Sequence, residues 1–165
     1  MKGGEIWLFL IEIDRISEEE FMVLKKSTPT LCSGEYRYSR DYFLIKIDKE
    51  NKWLIDQVDV GLPNVPYMMC NKSNILFVAT TFNLYVIDCI NNKIVFECEL
   101  KTPCVDFFAT EKIVYIICEC QLLHFSIKDK RVLKCDDFSD MLEDYIKTDD
   151  KVIITLENGQ TFAIK

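Results

Sequence analysis

Ile75-Leu76-Phe77-Val78, followed by Asn83-Leu84-Tyr85-Val86-Ile87 and then Ile94-Val95-Phe96-Glu97-Cys98, decides how this chain folds. Each run is short, apolar, and rich in β-branched and aromatic side chains, the composition of a strand on a half-buried pleated surface. A tight connection at Phe82-Asn83 joins the first two runs, and the polar Asn91-Asn92-Lys93 joins the second to the third.

The same pattern recurs downstream. Ile113-Val114-Tyr115-Ile116 and Val152-Ile153-Ile154-Thr155 repeat the first run, at offsets of 38 and then 39 residues. Gln121-Leu122-Leu123-His124-Phe125 and Gln160-Thr161-Phe162-Ala163-Ile164 repeat the second at the same offsets. Glu119-Cys120-Gln121 and Glu157-Asn158-Gly159-Gln160 hold the place of the tight connection. Asn-Gly in the latter marks a hairpin, because glycine takes a positive φ at no steric cost. Lys128-Asp129-Lys130 is the second polar turn, and Val132-Leu133-Lys134-Cys135 the third strand. An earlier unit shows as Tyr42 to Asp48, the polar turn Asp48 to Lys52, and Trp53-Leu54-Ile55. A short strand also precedes the longer runs, at Tyr67 to Cys70, Val105 to Phe108 and Asp144 to Ile146. Four short antiparallel strands in each repeat is the period of a propeller blade.

Leu84-Tyr85-Val86-Ile87-Asp88 followed by Asn91-Asn92-Lys93-Ile94-Val95-Phe96 resembles a β-propeller repeat of the quinoprotein-like or WD-like kind. The resemblance covers Gly34 to Lys165, three to four units. It implies an all-β fold: a small propeller-like array of four-stranded antiparallel units forming a single domain over 1–165, with a two-sheet β-sandwich as the alternative. No Trp-Asp pair ends a strand, and Phe96 or Leu133 stands where quinoprotein-like repeats often carry Trp. The cofactor chemistry of that family is therefore not carried over, and no cofactor is expected.

Two segments lie outside the repeat. Ser17-Glu18-Glu19-Glu20 has the spacing of a capping box and, with Phe21 and Leu24, predicts a short amphipathic helix ended by Ser27-Thr28-Pro29-Thr30 and placed over a sheet edge or end. Glu5 to Ile13 reads as a strand that could complete the last unit and close the ring by pairing the termini.

The 165 residues are 49% apolar and 28% charged, too apolar for a disordered chain. The net charge of −7 argues against direct nucleic-acid binding, which needs a basic face. Acids flank the apolar start too closely for a secretory signal, and no run of 18 apolar residues occurs, so a cytoplasmic protein without membrane insertion is expected. In a reducing compartment the eight cysteines read mainly as small core residues. Cys118, Cys120 and His124 have a C-x-C-x3-H spacing, but no fourth ligand is evident and no metal is expected. His124, between Leu123 and Phe125, reads as a wall or surface residue. With one histidine, no G-x-S-x-G and no phosphate loop, no catalytic set stands out and an enzyme is not expected.

The charge is concentrated. Between Asp136 and Asp150 lie Asp136, Asp137, Asp140, Glu143, Asp144, Asp149 and Asp150 against Lys147 alone, a net of −6 out of the chain's −7. Phe138, Met141, Leu142 and Tyr145 are interleaved, at the junction of the third and fourth units. A solvated loop reads this way, and so does a docking face with apolar anchors inside a charged field. Leu142 and Tyr145 could also anchor a short helix starting near Ser139. The partner-binding set is Asp136, Asp137, Phe138, Asp140, Glu143, Asp144, Asp149 and Asp150. The function expected is a non-catalytic protein-binding module with a basic protein partner. Its most specific form is an immunity protein or antitoxin that neutralises a basic nuclease toxin through the acidic surface. The alternative is a propeller-type scaffold subunit of a larger complex.

Overall fold

The structure, a computed structural model, describes residues 11–32, 39–59, 65–148 and 151–164. The chain divides into two compact units, Met1–Glu99 and Leu100–Lys165.

The first unit begins with β1 (Glu12–Ile16), α1 (Glu18–Leu24) and β2 (Thr30–Cys32), followed by β3 (Arg40–Lys46) and β4 (Lys52–Val58). These strands form one sheet in the order β1-β3-β4-β2. A second sheet holds β5 (Tyr67–Cys70), β6 (Ile75–Ala79), β7 (Asn83–Asp88) and β8 (Lys93–Glu99) in chain order. The two share a core. Phe43, Ile45, Trp53 and Ile55 of the first sheet pack with Leu76, Val78, Tyr85 and Ile87 of the second. The alternation that sends every second side chain inward leaves Tyr42, Leu44 and Leu54 on the opposite face. There Phe21 of α1 covers Leu44 and Leu54, and Phe21 is itself buried.

In the second unit, β9 (Cys104–Ala109), β10 (Ile113–Cys118), β11 (Gln121–Ser126) and β12 (Arg131–Asp137) make one four-stranded antiparallel sheet. β13 (Leu142–Lys147), β14 (Val152–Leu156) and β15 (Thr161–Ile164) make a three-stranded one. Phe108, Ile117 and Leu122 pack with Val152, Ile154, Leu156 and Ile164 between them.

The repeated turns have repeated chemistry. Asp48 Oδ1 accepts the Asn51 N–H at 2.6 Å, and its Oδ2 accepts Asn51 Nδ2 at 2.7 Å. Asp88 does the same for Asn91, at 3.1 and 2.8 Å. In the third unit Ser126 Oγ accepts the Asp129 N–H at 3.1 Å. Each side chain replaces the partner that a turn's N–H loses. The strand that follows is entered through a positive φ, 47° at Asn92 and 52° at Lys130.

Four sheets replace the sandwich alternative, and the multi-sheet repeat is the observed class. Several expectations need correction. Glu12 and Ile13, expected in the last sheet, lie in β1 and pair with Lys46 and Ile45 of β3; the rest of that stretch, residues 5–10, lies outside the described residues. β1 thus takes the place beside β3 that β6 takes beside β7. The capping helix forms, with Ser17 Oγ accepting the Glu20 N–H at 3.1 Å, but it covers a sheet face rather than an edge. The edge of β4 is covered by β2, a parallel strand that the repeat does not predict. Leu142 and Tyr145 lie on a strand, not a helix: β13 pairs with β14, which fixes an extended backbone. None of the eight cysteines is in a disulfide, but only Cys89, Cys104 and Cys118 are buried, and Cys135 is exposed. No described helix is long and apolar enough to cross a membrane.

Candidate functional site

The acidic segment runs from the end of β12, the outer strand of its sheet, into β13. Alternate residues of β12 face opposite ways, so Lys134 and Asp136 share a side with His124 of the neighbouring β11. Asp136 is engaged at both oxygens: Lys134 Nζ lies 2.7 Å from Oδ1, and His124 Nε2 lies 2.9 Å from Oδ2. The Lys134 bond, with a smaller contribution from His124, holds the Asp136 carboxyl below the usual carboxylate range against a burial penalty. The Tyr115 ring meets His124 edge-on at 4.9 Å. Asp137 faces the other way, and Lys101 Nζ donates to both of its oxygens at 2.7 Å.

Beyond β12 the chain is pinned to two turns. The Phe138 N–H donates to the Cys120 carbonyl at 2.9 Å and the Leu142 N–H to the Glu119 carbonyl at 2.7 Å. The Glu157 N–H donates to the Met141 carbonyl at 2.9 Å, and Ser139 Oγ donates to Gln160 Oε1 at 2.7 Å. This brings Glu119, Asp140 and Glu157 around Cys120, whose thiol is pushed up first by burial and then by these three carboxylates. Phe138 turns inward and stacks on Phe162 of β15.

A cleft of about 470 Å³ opens beside this segment, walled by Tyr115, Phe138 and Phe162 and carrying His124, Lys134 and Asp136. The expected residues therefore separate into three places. Asp136, Asp137 and Phe138 line the cleft. Asp140 joins the carboxylates of the two turns. Glu143 and Asp144 lie exposed on β13, which forms the other edge of the sheet from β15. Asp149 and Asp150 lie outside the described residues.

Two points were missed by counting charge along the chain. Lys101 and Lys134, outside the window, pair with Asp137 and Asp136, so those two acids contribute less to the outward field than their number implies. Glu119 and Glu157, also outside it, add to the field. The repeat held the signal for them, since both occupy the tight connection of their units and successive connections meet at one end of the sheets.

Cys118, Cys120 and His124 do not converge. Cys118 sits opposite Cys104 across β9 and β10, Cys120 lies in the turn, and His124 is a part-buried wall residue on Asp136. Among the described residues no group of three or more His, Cys, Asp or Glu side chains is placed to hold a metal ion.

No protein-family model matches the chain. No curated protein matches it. Among solved structures, that of Sqt1 from Saccharomyces cerevisiae is similar at a TM-score of 0.51 and 9% identity, over 94% of this chain and 44% of that one. The computationally designed Ika4 protein is similar at 0.49 and 10% identity, over 84% and 90% of the two chains. HIRA(644–1017) is similar at 0.46 and 12% identity, over 94% and 46%. Sqt1 is of the WD40 β-propeller kind, and at this identity the similarity shows the fold alone. The chain spans less than half of the Sqt1 chain.

Proposed function

We propose that this chain is a non-catalytic protein-binding module whose second unit docks a basic protein partner. The observation that carries the reading is the gathering of Glu119, Asp140 and Glu157 from three separate connections at one end of the sheets, continued by Glu143 and Asp144 on β13. The connection that carries Asp140 also carries Phe138, an aromatic wall of the cleft. Such a surface combines a long-range field, which steers encounter, with apolar area that holds the complex once formed. His124 is committed to Asp136. A basic nuclease toxin is one partner class that suits this surface, with the module acting as its inhibitor. A scaffold role would place a subunit's basic segment on the same face.

The test uses a labelled peptide of alternating arginine and valine, titrated by fluorescence anisotropy at low and physiological salt. Binding should weaken by about tenfold or more when Glu119, Asp140, Glu143, Asp144 and Glu157 are changed together to their amides, and its salt dependence should flatten. Unchanged affinity and salt dependence in that variant would overturn the reading. Inhibition of a nuclease encoded beside this chain separates the inhibitor role from the scaffold role.

A further inference from the structure

Among the described residues the last sheet holds three strands, where the others hold four. β15 occupies the position of β7 and β11, each of which carries an outer strand, β8 and β12. Among the described residues β15 carries none. Thr161, Phe162 and Ala163 are all exposed, with no alternation.

The pairing shows which backbone groups face outward. The Leu156 N–H donates to the Gln160 carbonyl at 2.9 Å, and hydrogen-bonded pairs alternate from there. Ile154↔Phe162 and Val152↔Ile164 are then bonded pairs, whereas Thr161 and Ala163 stand opposite Thr155 and Ile153 in non-bonded ones. The N–H and C=O groups of Thr161 and Ala163 point away from β14, toward the side on which no described strand pairs.

The cleft lies along that edge. Phe162, Ala163 and Ile164, three consecutive residues, all line it. Successive side chains of a strand face opposite ways, so a cavity touches all three only where it runs beside the strand. Its other wall is Leu122 and His124 of β11 with Lys134 and Asp136 of β12.

We propose that an extended segment of a partner protein, alternating basic and apolar residues, adds to β15 as the fourth strand of this sheet. The proposal rests on the acidic docking face described above and names the mode by which a partner engages it. Main-chain bonds to Thr161 and Ala163 supply the register. Alternate apolar side chains enter the cleft against Phe138 and Phe162. The basic ones, on the other face, meet Glu157 and Asp140 at the strand's Gln160 end, where Ser139 bonds Gln160 and the Glu157 N–H bonds the Met141 carbonyl. Charge complementarity selects this occupant, because an acidic strand would be repelled there and a wholly apolar one would leave the carboxylates without partners.

Amide hydrogen exchange on the full chain tests this, with the arginine–valine peptide as probe. The Thr161 and Ala163 amides should exchange freely in the chain alone and at least about tenfold more slowly with peptide bound. A second peptide, methylated at alternate backbone nitrogens, keeps its charge and should lose about tenfold or more in affinity. Protection of both amides in the chain alone overturns the proposal, since the edge is then already covered by another part of the chain or by a second copy. Equal affinity of the methylated peptide overturns strand addition too. In that case salt-dependent binding that falls in the amide variant still leaves the acidic docking face standing, whereas the absence of such binding removes both.

Discussion

Phe138 stacks on Phe162 with ring centroids 5.9 Å apart and planes 16° from parallel. The contact fastens the acidic connection between β12 and β13 to the last strand of the fold. It turns a stretch that could have been a free loop into one wall of a cleft. The neighbouring hydrogen bonds to Cys120, Glu119, Gln160 and Glu157 hold the same stretch by its backbone and by Ser139.

Replacing Phe138 with alanine removes a half-buried ring and its stacking partner. The unfolding free energy should fall by about 1–2 kcal/mol. Urea denaturation measures it, and an unchanged midpoint would mean that the ring carries no stability.

Neutralising the acids of the connection and of β13 should have no such cost. In the variant Asp140→Asn, Glu143→Gln and Asp144→Asn, the asparagine oxygens can still accept the Met141 and Tyr145 N–H bonds that Asp140 and Asp144 now accept. Stability should stay within about 0.5 kcal/mol of the parent, or rise as like charges are removed. A thermal melt beside the peptide titration separates lost binding from lost fold.

Tyr85 supplies an alkaline signature. Its buried phenol donates to the Cys32 carbonyl. Burial, and then the negative charges of Cys32 and Glu97, push its pKa up to about 12. An unfolded tyrosine ionises near pH 10, so the folded state keeps this proton longer than the unfolded one. The stability from this group is complete below about pH 10 and is lost as pH rises toward the folded value. Tyr85→Phe should be less stable than the parent at neutral pH by about 1 kcal/mol, and the difference should close above about pH 10. Chemical denaturation across pH checks both.

The left-handed turn position at Lys130 gives a change of opposite sign. Its φ is 52°, which costs a side-chain-bearing residue energy that glycine does not incur. Lys130→Gly should raise the unfolding free energy by about 0.5–1 kcal/mol, read from the urea midpoint.

The repeat was legible because it is local. Runs such as Ile75 to Val78 and Gln121 to Phe125 carry their own β composition, and Asp48, Asp88 and Ser126 mark the turn in each unit. The pairings of β1 with β3 and of β2 with β4 were not legible. They join segments separated by a helix or by a further strand, and no period links Ile13 to Ile45 or Leu31 to Ile55. At the site, composition found Asp136 to Asp144 but not the cations that pair with them. Lys101 lies 36 residues from Asp137 in sequence, and only the fold brings the two together. Glu119 and Glu157 were within reach, since the repeat places both in equivalent turns, but each is a single acid and does not stand out in a charge count.

The most direct test of the docking face is chemical-shift mapping on the ¹⁵N-labelled chain titrated with the arginine–valine peptide. Shifts should concentrate at Asp136 to Asp144, Glu119, Glu157 and Thr161 to Ala163. Shifts centred on the sheets of the first unit, or none at saturating peptide, would contradict it.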